Sequence, residues 1–221
     1  MIALAIEAST YAGSVALLDG DRLIAERTVA MRGREHEALM PAVAEVLADA
    51  GQTATSVRRV ICGAGPGAFT SLRVAGGIAK GLALSTGAPL YAVSSLALLV
   101  ATGQGVVDGR YLAVMNAMRG ELYVQPFSRS ALGGVVPVGG VNIIDASALV
   151  RTAELAQAVA IGPDQPDARC IVPHARGSAL LTKMMEQSGP ADLASWEPEY
   201  GRLAEAQVKW EAAHGRALVA P

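Results

Sequence analysis

Apolar and polar positions alternate in blocks that spell out a β-led start. Met1–Glu7 is apolar until it ends in an acid, which predicts a short buried strand. Ser9–Gly13 supplies a turn, Ser14–Leu18 a second strand, Asp19-Gly20-Asp21 a hairpin turn and Leu23–Val29 a third strand. A helix follows over Glu35–Ala50: Leu39, Val43, Val46 and Leu47 recur at helical spacing, Pro41 falls in the second turn, and Gly51 is a stop. Val57–Gly63 reads as a strand, Gly65–Thr70 as a glycine-rich loop, and Ser71–Thr86 as a second helix ended by Gly87 and Pro89. Leu90–Val93 is a short strand, and Ser94 or Ser95 caps a third helix to Thr102.

Composition shifts at Gly103–Gly109, which marks a domain boundary between 1–102 and 103–221. Beyond it the pattern predicts strands at Tyr111–Met115 and Glu121–Phe127 joined by a turn at Ala117–Gly120. Gly133–Gly140 is loop or edge strand, Ser147–Val150 opens a helix, and Val159–Gly162 is a strand. Pro163, Pro166 and Pro173 punctuate the next stretch; Ser178–Gln187 reads as helix, Gly189–Pro198 as linker and Arg202–His214 as a last helix. This order is that of two stacked α/β subdomains, each a mixed sheet with covering helices.

Composition narrows the function classes. Of the 221 residues 52% are hydrophobic and 17% charged, enough apolar material for a sizeable core. The net charge is −2, and Arg22, Arg27, Arg32, Arg34, Arg58 and Arg59 are interleaved with Glu26, Glu35 and Glu37. That is a solvated mixed-charge face, not the basic stripe of a chain that grips nucleic acid alone. Cys62 and Cys170 form no C-x-x-C pair and read as buried free thiols in a reducing compartment. No signal-peptide pattern and no membrane-length apolar run is present, so the expectation is a cytoplasmic protein without membrane contact.

The most informative segment is Gly65-Pro66-Gly67-Ala68-Phe69-Thr70-Ser71-Leu72-Arg73. Gly65 and Gly67 open backbone angles closed to other residues, and Thr70 or Ser71 can cap the helix behind them. A helix start behind a glycine loop suits an anion, yet neither G-x-x-x-x-G-K-[ST] nor G-x-G-x-x-G is met, so a structural turn remains the plain alternative. The helix itself holds Gly76, Gly77 and Gly81, each costing roughly 1 kcal/mol against alanine. Gly77 and Gly81 share a face, and Gly76 and Lys80 a neighbouring one; close approach of another helix, from this chain or from a partner, explains them.

The run from Ala64 to Arg73, continued through Gly76, Ala79, Lys80, Gly81 and Leu82, closely resembles the G-x-G-P-G-S-F-T-G-x-R signature of the TsaB family, also called YeaZ. Ile6-Glu7-Ala8-Ser9-Thr10 with Ser14-Val15-Ala16-Leu17 resembles its I-D-T-S-x…S-V-A-L opening, and His36-Glu37-Ala38-Leu39-Met40-Pro41 its H-S-x-x-L-x-P. Pro198-Glu199-Tyr200-Gly201-Arg202 with Trp210 resembles its closing P-x-Y-x-R…W. Glu7 stands for the family's Asp, Ala68 for Ser, Ser71 for Gly, and Asn116-Ala117-Met118-Arg119 departs from D-A-R.

The resemblance implies an actin-like (ribonuclease H-like) fold. It also implies a non-catalytic subunit that dimerises through its first two helices with TsaD, the enzyme that transfers a threonylcarbamoyl group to N6 of adenosine 37 in tRNAs reading A-starting codons. A TsaE-type ATPase joins the pair, and tRNA is met only through the complex. The candidate partner interface is then His36, Leu39, Met40, Val43 and Leu47 with Arg73, Gly76, Gly77, Lys80 and Gly81. Glu7, Ser9, Thr10 and Ser14 form a candidate vestigial phosphate loop, and Gly65, Gly67 and Thr70 the glycine loop.

The chain's own chemistry is thin. TsaD-like proteins hold a metal with H-x-x-x-H at the third helix, where this chain has Ser95 and Leu99. His36-Glu37 lacks the second His of H-E-x-x-H because position 40 is Met40, so a peptidase M22-like label comes without a metal site. Asp145-Ala146-Ser147 and Gly162-Pro163-Asp164 are the nearest pieces to a second phosphate loop and are better explained as a helix cap and a turn. No resident cofactor is expected, with ATP at a subunit boundary as the one opening. Competing readings are an actin-fold ATPase or phosphotransferase using Ser9, Thr10 and Ser14, and a homodimeric interaction module.

Overall fold

A computed structural model describes residues 1–31, 38–103, 107–130, 134–200 and 214. His36, Arg32, Arg34, Glu35 and Glu37, part of the Gly103–Gly109 boundary, Gly133 and all of the expected Arg202–His214 helix except His214 lie outside the described residues.

Strands β1 (Ile2–Glu7), β2 (Ala12–Asp19) and β3 (Arg22–Ala30) form the meander, followed by helix α1, described from Leu39 to Asp49. Then come β4 (Arg59–Gly63), α2 (Phe69–Thr86), β5 (Leu90–Val93) and α3 (Ser95–Thr102). These strands make one sheet in the order β3-β2-β1-β4-β5. The β1–β2 and β2–β3 pairs are antiparallel, whereas β1–β4 and β4–β5 are parallel because helices carry the chain back across the sheet.

Period-two alternation gives the sheet two buried faces. Leu4, Ile6, Val15, Leu17 and Val60 point to one face, which α1 covers with Leu39, Val43, Val46 and Leu47 and α2 with Ala75, Ala79 and Leu82. Ala3, Ala5, Ala16, Leu18 and Ile61 point to the other, against α3. Burying each large aliphatic side chain here contributes roughly 1.5–3 kcal/mol.

The second sheet holds β6 (Gly109–Asn116), β7 (Glu121–Arg129), β8 (Val135–Pro137), β9 (Asn142–Asp145), β10 (Val159–Gly162) and β11 (Arg169–Cys170), in the order β11-β10-β6-β7-β8 with β9 also on β7. One face (Tyr111, Ala113, Met115, Tyr123, Phe127) joins the α3 core. The opposite face (Leu112, Val114, Leu122, Val124) is closed by Leu149 of α4 (Leu149–Leu155). Helix α3 therefore lies between the sheets, and its residues 95–101 are all buried, as a helix apolar all round should be.

The later chain returns to the first sheet. A 3-10 segment (Ala175–Leu181) leads into α5 (Thr182–Ser188), so the single helix expected over Ser178–Gln187 is two elements. The Ala175 N–H donates to Ser14 Oγ at 2.9 Å, and Thr102 Oγ1 exchanges bonds with the His174 backbone. One further expectation changes. Helix α2 starts at Phe69 with Ala68 as N-cap, not at a Thr70 or Ser71 cap, because the Ala68 N–H is tied to the Ser9 carbonyl at 2.7 Å and the helix begins directly from the loop. The Gly133–Gly140 stretch contributes the edge strand β8. Among the described residues no helix is long and apolar enough to cross a membrane.

Candidate functional site

Three segments converge behind the glycine loop. Gly65 has φ +97°, and a Cβ there would run into the Glu199 carbonyl and stand 3.0 Å from Leu72, so only glycine fits. The Gly65–Pro66 bond is cis. The Gly65 N–H donates to Ser95 Oγ at 3.1 Å, and the Ser95 N–H returns a bond to the Gly65 carbonyl at 2.9 Å. Ser95 Oγ also donates to Glu7 Oε2 at 2.9 Å, while the Ser9 N–H donates to Glu7 Oε1 at 2.6 Å. One carboxyl thus joins the end of β1, the loop before α2 and the start of α3.

Glu7 is fully buried. Burial pushes its carboxyl above the ordinary range, against the opposing effect of the bonds from Ser9 and Ser95. The neighbouring Cys62 thiol is also buried and pushed far up, first by desolvation and then by Glu7, so it stays a protonated, inert thiol. Ser9 and Ser14 are buried, Ser14 occupied by Ala175, and Thr10 Oγ1 bonds the Ala12 backbone within its own turn. The carboxyl of Glu7 and the hydroxyl of Ser14 are used internally, whereas Ser9 Oγ is buried without a hydrogen-bond partner among the described residues. At the two positions where the resemblance would place metal ligands, Ser95 is held by Glu7 and Gly65, and Leu99, with no donor atom, is wholly buried. No group of three or more His, Cys, Asp or Glu side chains is arranged for a metal among the described residues.

The candidate interface residues divide into two sets. Leu39, Val43 and Leu47 face the first core and Gly76 is buried, a correction to their placement on a partner surface. Met40 is 49% exposed. On α2, Arg73, Gly77 and Gly81 are exposed, and Leu84, one turn on, is 70% exposed. A Cβ on Gly77 or Gly81 would meet nothing within 4 Å among the described residues. Thr70 is exposed at the start of this helix.

Gly76 and Lys80 are covered by the chain itself. The expected linker is a strap: the Ala191 N–H bonds the Leu90 carbonyl at 2.7 Å, Trp196 and Leu193 pack on the first core, and the Glu199 N–H bonds the Ala64 carbonyl at 2.7 Å. A Cβ on Gly76 would be 3.0 Å from Pro198 Cγ and 3.7 Å from Trp196, and Lys80 Nζ lies 5.9 Å from the Trp196 ring. Tyr200 packs at a tilt on Phe69, centroids 4.5 Å apart, and the Arg73 guanidinium lies over the Phe69 ring, 5.4 Å from its centroid. Sequence reasoning missed Phe69, Leu84, Trp196 and Tyr200. Leu84 was findable, because it lies at i+7 from Gly77.

Meander, parallel crossovers, buried central helix and second mixed sheet together define an actin-like, ribonuclease H-like α/β protein of two stacked layers. Residues 30–131 match the TsaD profile, described as tRNA N6-adenosine threonylcarbamoyltransferase. The chain is 29% identical to the tRNA threonylcarbamoyladenosine biosynthesis protein TsaB of Bacillus subtilis over 95% of its own length and 98% of that protein's. It is 36% identical to the TsaB of Escherichia coli over 59% of its length and 56% of that relative's. YeaZ from Pseudomonas aeruginosa superposes with a TM-score of 0.72 at 26% identity, over 89% of this chain and 98% of that one. Over nearly its whole length the chain is thus similar to TsaB of Bacillus subtilis and to YeaZ of Pseudomonas aeruginosa.

Proposed function

We propose that this chain takes part in tRNA threonylcarbamoyladenosine biosynthesis as a non-catalytic subunit, docking on a TsaD-type enzyme through the exposed face of α2. The observation that carries the reading is the pair Gly77 and Gly81. Each weakens the helix by about 1 kcal/mol, and neither has an atom of the described residues within 4 Å of its missing Cβ. Gly76, by contrast, has its reason inside the chain, in Pro198. A glycine pair one turn apart on a bare face, followed by an exposed Leu84, suits the close approach of a second helix.

In this reading the TsaD-type subunit transfers the threonylcarbamoyl group to N6 of adenosine 37, a TsaE-type ATPase joins, and tRNA is reached only through the complex, in the cytoplasm. The net charge of −2 fits a chain that does not hold tRNA by itself. The internal use of Glu7 and Ser14 favours this over an ATPase or phosphotransferase. The division into 1–102, with the docking helices, and 103–221 belongs to the same proposal. When no partner is present, the bare α2 face could pair two copies of the chain.

The test is reconstitution of the modification with TsaD-type and TsaE-type subunits, tRNA and ATP, with and without this chain. Modified adenosine should form only when the chain is present, and the chain alone should neither hydrolyse ATP nor modify tRNA. Turnover by the isolated chain would contradict the non-catalytic assignment.

A further inference from the structure

The α2 stripe has a chemically distinct end. Phe69, Arg73, Gly77 and Gly81 follow one another at four-residue intervals and Leu84 comes three residues later, so they form one line along the helix. At the N-terminal end of that line the strap delivers Tyr200 onto Phe69, and Arg73 lies over the same ring. Phe69 is 36% exposed.

Arg73 differs from another exposed arginine, Arg27. Arg27 is neutralised by Asp49 and Glu45 of α1. Arg73 forms no ion pair with any described residue, although Glu197 and Glu199 of the strap are close in sequence to its aromatic partner. A guanidinium held over an aromatic ring keeps its charge near one place, so it loses less freedom when it takes a carboxylate. The strap itself is anchored on both sides of this corner by Trp196 and by the Glu199–Ala64 backbone bond.

Resting on the docking role proposed for α2, we infer that the strap is part of the same face, and that the Arg73–Phe69–Tyr200 corner receives a carboxylate side chain from the TsaD-type partner. The glycines let the partner helix approach, Leu84 supplies apolar contact at one end, and Arg73 fixes register and direction at the other through a charge-assisted bond. Tyr200 acts by position: packed on Phe69, it holds the ring that carries Arg73.

The experiment measures the dissociation constant between this full chain and the TsaD-type subunit of the same genome, for the unaltered chain and for Arg73→Glu, Arg73→Gln, Tyr200→Ala and Gly77→Leu, at about 0.05 and about 0.5 M salt. Thermal melts establish that each variant folds. Arg73→Glu should weaken binding by about a hundredfold and Arg73→Gln by about tenfold, and both should flatten the salt dependence. A carboxylate-to-arginine change on the partner that restores binding to Arg73→Glu would identify the group. Unaltered affinity and unaltered salt dependence for Arg73→Glu, with Gly77→Leu still abolishing the complex, would overturn the corner and leave the docking role standing. Binding that survives Gly77→Leu as well would overturn both.

Discussion

Glu7 and Gly63 share one volume: a Cβ built on Gly63 would lie inside the Glu7 carboxyl, 2.7 Å from its Cδ and 3.2 Å from Ser95 Oγ. The acid at the end of β1 reaches sideways into the space beside β4, and it can do so only because β4 ends in a residue without a side chain. The TsaB resemblance places an Asp at this position; the longer Glu reaches Ser95 on α3.

Gly63→Ala should therefore cost about 2–4 kcal/mol, an overpacking effect against a buried, hydrogen-bonded group. Shortening the acid with Glu7→Asp should recover part of that loss. A double-mutant cycle by urea denaturation measures the coupling, and additive effects would show that the two residues do not compete for this space.

The pH response of Glu7 has a definite sign. Its carboxyl is raised in the fold by burial, so its favourable contribution is complete below the ordinary carboxylate value near 4.5 and is lost as pH rises through the raised folded value. Glu7→Gln keeps an acceptor for the Ser9 N–H and removes the ionisation, and its amide NH₂ faces Ser95 Oγ, which then accepts where it donated to Glu7. The variant should gain stability relative to the parent as pH rises from about 5 to about 9, read as a growing difference in melting temperature. A constant difference across that range would contradict the assignment.

Much of the frame is legible in the sequence because burial writes it in simple periods. Leu4 and Ile6 alternate with Ala3 and Ala5, and that alternation is the two-faced sheet. Leu39, Val43, Val46 and Leu47 mark a helix correctly for the same reason, yet that spacing identifies the face turned to the sheet, and reading it as a partner face inverted the helix. The glycines of α2 announce close approach without saying by what. Only Pro198, more than a hundred residues later in the chain, separates Gly76 from Gly77 and Gly81. Gly189–Pro198 looks like linker because it has no period; its order comes from Trp196 and from isolated backbone bonds to Leu90 and Ala64, which leave no local pattern.

The strap and the bare face respond oppositely to alanine. Gly76→Ala adds a Cβ 3.0 Å from Pro198 and should destabilise the chain by about 1 kcal/mol or more, the strap having to shift. Gly77→Ala and Gly81→Ala add a Cβ in open space and should stabilise the isolated chain by up to about 1 kcal/mol each. Denaturation midpoints of the single variants check this, and a loss of stability at Gly77 or Gly81 would mean that the face is covered in the isolated chain.

Removing Trp196 tests the strap as a whole. Trp196→Ala should cost about 3 kcal/mol through lost packing on the first core, and hydrogen exchange of the Ala191 and Glu199 amides should accelerate with it. Exchange that stays slow would show that the strap holds without its aromatic anchor.

The central claim is that α2 carries the docking face, and the most direct measurement is analytical ultracentrifugation of this chain with the TsaD-type subunit. The chain should sediment as a heterodimer with that subunit, whereas Gly77→Leu and Gly81→Leu, each folded by its melting curve, should leave two separate species. Heterodimer formation undiminished by either leucine would contradict it.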